Sequence, residues 1–156
     1  MGRCKEKSYE PTSFPHLNMR YSKEVINYFF DIRHAGTLNR KSVNVCYGEV
    51  GSALQGYLYR LYLRFKNDKI REAKFQSYGS PITTAACEYA CRWGEGKAFE
   101  EVKQLNAEQI KNALNLRSFE LYISTLVEQL WKKTIFGKNN VFPKEPSHHF
   151  RLLFRL

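Results

Sequence analysis

The segment that decides the fold is YLYRLYLRFKNDKIREAKFQSYG, residues 57–79. In its first half the residues alternate in character, and one face carries Tyr57, Tyr59, Leu61, Leu63 and Phe65. Alternation with a period of two is typical of a β-strand that buries one face. A turn signal, Asn-Asp, follows at residues 67–68, and residues 69–78 return as a second strand. The segment therefore predicts a β-hairpin.

The sequence before this hairpin predicts one more strand and one helix. Residues 43–50 form a strand signal that ends in Gly48 and Gly51. Further upstream, Ser22 is a suitable N-cap for a helix that runs through about Asp31, with apolar residues at helical spacing. The hairpin thus has a third strand available to it.

The sequence after the hairpin is helical. Ser80 as N-cap, with Pro81 at the first helical position, opens a helix that Gly94 terminates. Three further helices are predicted over residues 99–105, 106–114 and 118–136. The order of one helix, three strands and several helices predicts an α+β fold, with helices packed on one face of a three-stranded antiparallel sheet.

Length, charge and the lack of targeting signals indicate how the chain is divided and where in the cell it is expected. The 156 residues carry a formal net charge of +10. They divide into an N-terminal arm at 1–20, a domain at 21–136 and a basic, apolar tail at 137–156. The first residues contain no secretory signal, and no apolar run is long enough to span a membrane. We therefore expect a cytoplasmic protein or, in a eukaryote, one of the mitochondrial matrix, with no membrane partner.

The cysteines raise the question of a metal site. Cys87 and Cys91 are four residues apart in a predicted helix, so their thiols share one face. Cys46 on the first strand could join them as a third ligand, while Cys4 lies in the arm. Zinc requires four ligands, and the histidines at positions 16, 34, 148 and 149 are poorly placed to complete the set. Buried packing and a relocated metal or redox site both remain open, and packing is favoured.

Signals for catalysis are absent from the sequence. Ser80 precedes a helix and lacks the G-x-S-x-G context of a serine nucleophile. The glutamates, including Glu88 and Glu128, are interpreted as parts of charged helix and hairpin surfaces. Neither a phosphate-binding loop nor a dinucleotide fingerprint occurs. The chain is predicted not to be an enzyme and to need no cofactor.

A basic, aromatic composition leaves a second class of function open. Arginine is interleaved with aromatic or aliphatic residues in YLYRLYLRF, residues 57–65, and in FRLLFRL, residues 150–156. Such interleaving can supply base stacking and phosphate neutralisation, as in an RNA- or ribosome-associated protein. For the strand, Arg60 and Arg64 as a solvated face is the preferred interpretation. The tail is apolar enough that we expect residues 147–156 to contact this domain, a second copy or a partner.

Several motifs together resemble the IscU/NifU N-terminal iron–sulfur scaffold family. They are YSKEVINYFF followed by Arg33, Gly36 and Leu38, then NV.YGEVGS, AKFQSYG and W.EGKAFEEV. The resemblance extends over residues 21–136, in order and without large gaps. It implies a compact domain of a three-stranded antiparallel sheet and packed helices. It also implies a role in iron–sulfur cluster assembly, with a cluster or zinc ion held by three cysteines, often a histidine, and an assisting aspartate.

The resemblance also implies that every one of these ligands is replaced. The family's alanine–cysteine–glycine–aspartate loop matches residues 54–57, so its cysteine falls on Gln55 and its aspartate on Tyr57. The second loop cysteine falls on Ser80, and the histidine–cysteine pair on Tyr122 and Ile123. Iron–sulfur clusters need thiolates, which amide and hydroxyl groups do not replace. The family's chaperone-docking segment, leucine–proline–proline–valine–lysine, matches residues 116–120 and is changed as well.

These observations predict a non-catalytic, IscU-like protein that has lost its cluster site. It would act as an interaction, regulatory or structural subunit, still linked to iron–sulfur assembly. The expected partner is an iron–sulfur assembly protein, such as a cysteine desulfurase, or a larger complex, and the tail could also form a homo-oligomer. An RNA- or ribosome-associated protein is the alternative, and metal binding through Cys46, Cys87 and Cys91 is a weaker one.

Overall fold

A computed structural model describes residues 20–137 of the chain. The predicted arm and tail, with the cysteine at position 4 and the histidines at 16, 148 and 149, lie outside the described residues. Strands and helices follow the predicted order. The strands are β1 (Val45–Ser52), β2 (Tyr57–Lys66) and β3 (Lys69–Tyr78). The helices are α1 (Lys23–Phe30), α2 (Pro81–Gly94), α3 (Phe99–Val102), α4 (Ala107–Ala113) and α5 (Leu121–Phe136), with 3₁₀ turns at Ala53–Gln55 and Ser118–Glu120.

Within residues 20–137 the three strands form one antiparallel sheet in the order β1-β2-β3. Its central register aligns Gly48, Leu61 and Phe75 across the three strands. Asn67 and Asp68 both have positive φ, 53° and 61°. Two such residues make the turn whose twist matches that of the flanking strands. The predicted hairpin is confirmed.

The helices cover one face of the sheet, and the core lies between them. The alternating face of β2 is buried as predicted, and Leu63 is fully inaccessible to solvent. Helix α5 packs on β1 and β2, while α2 packs on β3 and α1. At Gly48 an added Cβ would lie 2.8 Å from the backbone nitrogen of Thr134, so α5 approaches β1 at a distance that only glycine allows. The predicted α+β architecture is confirmed.

The helix starts follow the predicted caps. The hydroxyl of Ser22 accepts a hydrogen bond from the Val25 N–H at 3.1 Å. The side chain of Asn106 accepts one from the Gln109 N–H at 2.9 Å. Each bond satisfies a backbone donor that has no partner inside the first helical turn.

Three predicted boundaries are wrong. Strand β1 covers Val45–Ser52 instead of residues 43–50, because its pairing with β2 runs from Val45 opposite Arg64 to Ser52 opposite Tyr57. Helix α3 ends at Val102 instead of residue 105. The last helix begins at Leu121, after a 3₁₀ turn in which the Glu120 carboxylate accepts the Arg117 N–H at 2.9 Å.

A buried ionic cluster ties the segment after α1 to α2. Glu88 was interpreted as a surface residue, and that interpretation is wrong, because its side chain is fully buried. Its carboxylate accepts the backbone N–H groups of Arg33 and His34, both at 3.1 Å, and the Nε of Arg92 at 2.8 Å. His34 places Nδ1 2.9 Å from Glu88 and Nε2 3.0 Å from a carboxylate oxygen of Glu95. Four donors therefore converge on one buried carboxylate.

Among residues 20–137, no helix is both long enough and apolar enough to span a membrane.

Candidate functional site

A cavity of about 640 Å³ opens at the end of the sheet where β2 begins and β3 ends. Its walls include Tyr57 and Tyr59 of β2, Ser80 and Thr83 at the start of α2, and Tyr122 and Thr125 of α5. The residues that line it within the described part of the chain are aromatic, aliphatic, hydroxyl, amide or glycine residues. The cavity therefore offers ring faces and uncharged hydrogen-bonding groups.

The structure brings together, around this cavity, three of the five positions that the resemblance assigns to ligands. Tyr57, Ser80 and Tyr122 line it. Gln55 is exposed on the adjoining 3₁₀ turn. Ile123 points into the core, is 1% exposed and is not among the lining residues. The site implied by the resemblance is thus a real concavity, with one of its positions incorporated into the core.

Ser80 serves the backbone at this site. Its hydroxyl accepts the Ile82 N–H at 3.2 Å, which confirms the predicted helix cap. Its own N–H donates to the Tyr59 hydroxyl at 3.2 Å, and its carbonyl accepts the Thr84 N–H at 3.1 Å. Both the side chain and the backbone of Ser80 are therefore used to position the start of α2.

Two stacked tyrosines form one wall of the cavity. The rings of Tyr57 and Tyr59 lie 5.9 Å apart with an interplanar angle of 29°. Tyr59 is 2% exposed, and a Cβ added at Gly79 would lie 2.2 Å from its hydroxyl oxygen. Gly79 therefore leaves the space that the buried ring occupies. The Tyr59 side of this wall is therefore packed into the core of the domain.

Sequence reasoning did not identify Tyr59, Thr125 and Gln129 as site residues. The signal for Tyr59 was present, because it follows Tyr57 on the same face of the strand. Thr125 and Gln129 lie three and seven positions after Tyr122, which places all three on one face of a helix. Applying strand and helix periodicity to the ligand positions would have found them.

The thiols of the described residues lie away from the cavity. Cys46, Cys87 and Cys91 are all buried, and none lines it. Burial raises the pKa of Cys46 to about 11 and that of Cys87 to about 12. The pKa of Cys91 is held well above its ordinary value by burial and by neighbouring Cys87. Among residues 20–137, no group of three or more histidine, cysteine, aspartate or glutamate side chains could hold a metal ion. The described part of the chain thus lends no support to metal binding by these cysteines.

These three thiols should be protected from alkylation in the folded protein. Only the thiolate reacts, and a raised pKa combined with burial lowers both its population and its accessibility. We expect Cys46, Cys87 and Cys91 to be alkylated by iodoacetamide at pH 8 more than about 100-fold more slowly than in urea. Peptide mapping by mass spectrometry resolves each cysteine. A rate for Cys87 or Cys91 close to that of the unfolded chain would contradict the buried assignment.

The arginines of β2 lie on the opposite face of the sheet and are paired. Arg60 contacts the Glu49 carboxylate at 3.2 Å, and Arg64 contacts Glu72 at 2.8 Å. Cross-strand pairs of this kind are typical of a solvated sheet face. Their positive charge is therefore already opposed by neighbouring carboxylates, which gives the RNA alternative no added support from this strand.

Four large, exposed hydrophobic residues belong to the cavity lining or lie close to it in the sequence. We define the apolar rim as these residues, Leu54, Tyr78, Phe119 and Tyr122, each of which lines the cavity or lies within three residues of a lining residue. Leu54 is fully exposed, and the other three are 65–68% exposed. Phe119 lies in the segment that matches the family's chaperone-docking motif, and the Arg117 guanidinium packs 4.4 Å above its ring. We interpret these exposed side chains as a candidate interaction surface.

Known proteins resemble this chain both in sequence and in fold. Residues 20–137 match the NifU-like N terminal domain family. The chain is 33% identical over 129 residues to iron-sulfur cluster assembly protein 3 of Arabidopsis thaliana, which covers 82% of this chain and 75% of that protein. It is 32% identical over 118 residues to the iron-sulfur cluster assembly scaffold protein IscU of Rickettsia prowazekii, covering 75% and 90% of the two chains.

A solved structure shares the fold. The crystal structure of a nitrogen-fixing NifU-like protein (N-terminal) from Brucella abortus superposes with a TM-score of 0.58 at 13% identity, covering 72% of this chain and 90% of that one. At this identity the likeness concerns the fold alone. Together with the sequence matches, it confirms the predicted resemblance: the chain belongs to the NifU-like N-terminal domain family, the IscU-type scaffold family of iron–sulfur cluster assembly.

Proposed function

We propose that this protein is a non-catalytic member of the scaffold family that no longer carries a cluster and acts as an interaction subunit in iron–sulfur cluster assembly. One observation carries the proposal. Tyr57, Ser80 and Tyr122, to which the resemblance assigns ligand positions, line one cavity, and the thiols of Cys46, Cys87 and Cys91 are buried and do not line it.

The residues present do not fit a [2Fe–2S] cluster as cargo. Such a cluster is held by thiolates, or by imidazoles in place of some of them. Here the corresponding positions offer the amide of Gln55, the hydroxyl of Ser80 and the alkyl chain of Ile123. The Ser80 hydroxyl is bonded to the α2 backbone, and Ile123 is inside the core. The donor set therefore differs from what the cluster needs both in chemistry and in orientation.

The exposed apolar rim supports retention of a protein partner. Four large, exposed hydrophobic residues belong to the cavity lining or lie within three residues of it in the sequence, which supports a surface that binds a protein. The related chains are named as assembly and scaffold proteins of iron–sulfur clusters. We infer a partner from the same process, of which a cysteine desulfurase is the expected example, in the cytoplasm or the mitochondrial matrix.

Purification of the tagged chain from its own cells under anaerobic conditions tests this proposal. We expect iron–sulfur assembly proteins among the stoichiometric partners. Replacing Phe119 with aspartate should reduce their recovery by about tenfold or more, as for an interface hot spot. Val43 is 55% exposed and lies outside the rim, so Val43→Asp is the matched control that should retain them. Recovery of ribosomal proteins that depends on intact RNA, with no assembly protein, would replace this proposal with the RNA alternative.

A further inference from the structure

We propose that the cavity and its apolar rim bind the C-terminal segment of this same chain, residues 150–156, as an intramolecular occupant that a partner must displace. The inference rests on the proposed function, because it requires a cavity without a cluster. It adds a regulatory contact to that function, since binding of the segment and of a partner would be mutually exclusive.

The chemistry of the cavity selects an uncharged, apolar or aromatic group. Its lining includes the stacked rings of Tyr57 and Tyr59 and the hydroxyls of Ser80 and Thr83. A volume of about 640 Å³ is in the usual range for a ligand site. Leu54 and Phe119 of the rim add exposed apolar side chains within three residues of the lining. An apolar cavity with exposed apolar side chains next to it in the sequence suits a polypeptide that carries several apolar residues.

The C-terminal segment has the matching composition. Residues 150–156 read FRLLFRL, in which five of the seven residues are phenylalanine or leucine. Burying each such side chain in an apolar cavity removes it from water, which favours binding. The two arginines can pack over tyrosine faces, because the ring faces attract a guanidinium. The tyrosine rings of the cavity can therefore contact both the apolar side chains and the arginines of residues 150–156.

The path of the chain allows this contact. Helix α5 runs from the cavity to Gly137, and Tyr122 lies about 21 Å from Phe136 at 1.5 Å per residue. The 12 residues 138–149 can span up to about 40 Å when extended. Gly137 has extended dihedral angles, φ −62° and ψ 143°, so the chain leaves the helical path at that residue. The linker is therefore long enough to return the segment to the cavity.

The covalent link favours this occupant over a second copy of the chain. A covalent link of this length gives an effective concentration on the order of a millimolar. At micromolar protein concentration the same contact between two chains would be disfavoured by roughly three orders of magnitude. The intramolecular contact between the segment and the cavity is therefore favoured over the contact between two chains.

Site-specific photo-crosslinking of the full-length chain tests the contact. Thr125 is exposed and lines the cavity, so Thr125→p-benzoylphenylalanine places the probe at its edge. Lys66 is exposed at the opposite end of β2 and takes the same probe as the control. We expect monomeric crosslinks from position 125 to peptides of residues 147–156, and none from position 66. Replacing both Phe150 and Phe154 with alanine should lower the yield at least about tenfold, whereas replacing His148 and His149 should not.

The alternative outcomes each overturn the proposal. Crosslinks that appear only in dimers would assign the surface to a second copy. Crosslinks from position 125 that lack peptides of residues 147–156, or no crosslinks at all, would show that the segment does not bind there. Iron is measured in the same samples, because a bound cluster would refute the proposed function, whereas iron-free protein without the crosslink would refute only the intramolecular contact.

Discussion

Replacing Glu88 with glutamine is expected to lower the free energy of unfolding by about 3 kcal/mol or more. The carboxylate is fully buried and accepts hydrogen bonds from two backbone N–H groups, from His34 and from Arg92. An amide has one acceptor oxygen, and its NH₂ group would face donors that it cannot bond. The His34 ring and the Arg92 guanidinium would then lose the buried Glu88 carboxylate as a partner, while Glu95 and Asp31 still face them.

The effect of Glu88→Gln should depend on pH in a defined direction. Burial favours the neutral form of Glu88, but the hydrogen bonds from His34, Arg92 and the backbone outweigh it and hold the pKa below its ordinary value. A lowered pKa in the folded state adds stability that is present above the unfolded pKa of about 4.3. That stability is lost as the pH falls through the folded pKa. The difference between wild type and variant should therefore be largest above about pH 5 and shrink in acid.

Urea unfolding from pH 3 to pH 7 measures both effects. The groups that face this cluster from neighbouring elements are Asp31, Arg33 and Glu95, and they are present in both proteins. Glu49→Gln is the matched control, because Glu49 pairs with Arg60 at the surface and should cost less than about 1 kcal/mol. A Glu88→Gln variant as stable as wild type at pH 7 would contradict the buried cluster.

Replacing Trp131 with alanine is expected to cost about 3–5 kcal/mol of stability. Trp131 of α5 lies in the core of the domain and is 1% exposed. Its ring packs against Gly94, where an added Cβ would lie 2.4 Å from the ring edge. Its indole N–H donates to the Val102 carbonyl at 2.7 Å, which joins α5 to α3. Truncation leaves both a large cavity and a buried carbonyl without its donor.

Two further variants separate the contributions of Trp131. Trp131→Phe keeps an aromatic ring but removes the indole N–H, so we expect a smaller loss of about 1–3 kcal/mol. Trp93 packs edge-on against Trp131 at 6.1 Å and is half-buried, so Trp93→Ala should cost less than Trp131→Ala. Chemical denaturation followed by circular dichroism reports all three. Equal losses for Trp131→Ala and Trp93→Ala would contradict the central position of Trp131.

Local signals predicted most of the fold. The alternation in β2, the Asn67–Asp68 turn and the caps at Ser22 and Ser80 are properties of a few adjacent residues, and the structure confirms them. What the sequence did not predict depends on residues far apart in the chain. The extent of β1 depends on its pairing with β2, which starts with Val45 opposite Arg64. The burial of Glu88 depends on a histidine 54 positions away, which no local pattern shows.

The candidate site was predictable in part for the same reason. Matching the family motifs located Tyr57, Ser80 and Tyr122, and the structure places these three around one cavity. Ile123 occupies the adjacent position in the motif, but one step along a helix rotates a side chain by about 100°, and here that step places it in the core. Tyr59 enters the site because the ring fits against Gly79, a contact that only the folded chain makes.

Anaerobic reconstitution with ferrous iron and sulfide tests the loss of the cluster site most directly. After desalting, iron, acid-labile sulfide and visible absorption are measured on the wild type and on a variant carrying Gln55→Ala, Tyr57→Phe and Ser80→Ala. The proposed function predicts that both retain less than about 0.2 iron per chain and show no charge-transfer bands. About two iron and two sulfide per wild-type chain, abolished in the variant, would show that the cavity still holds a [2Fe–2S] cluster and would contradict the central claim.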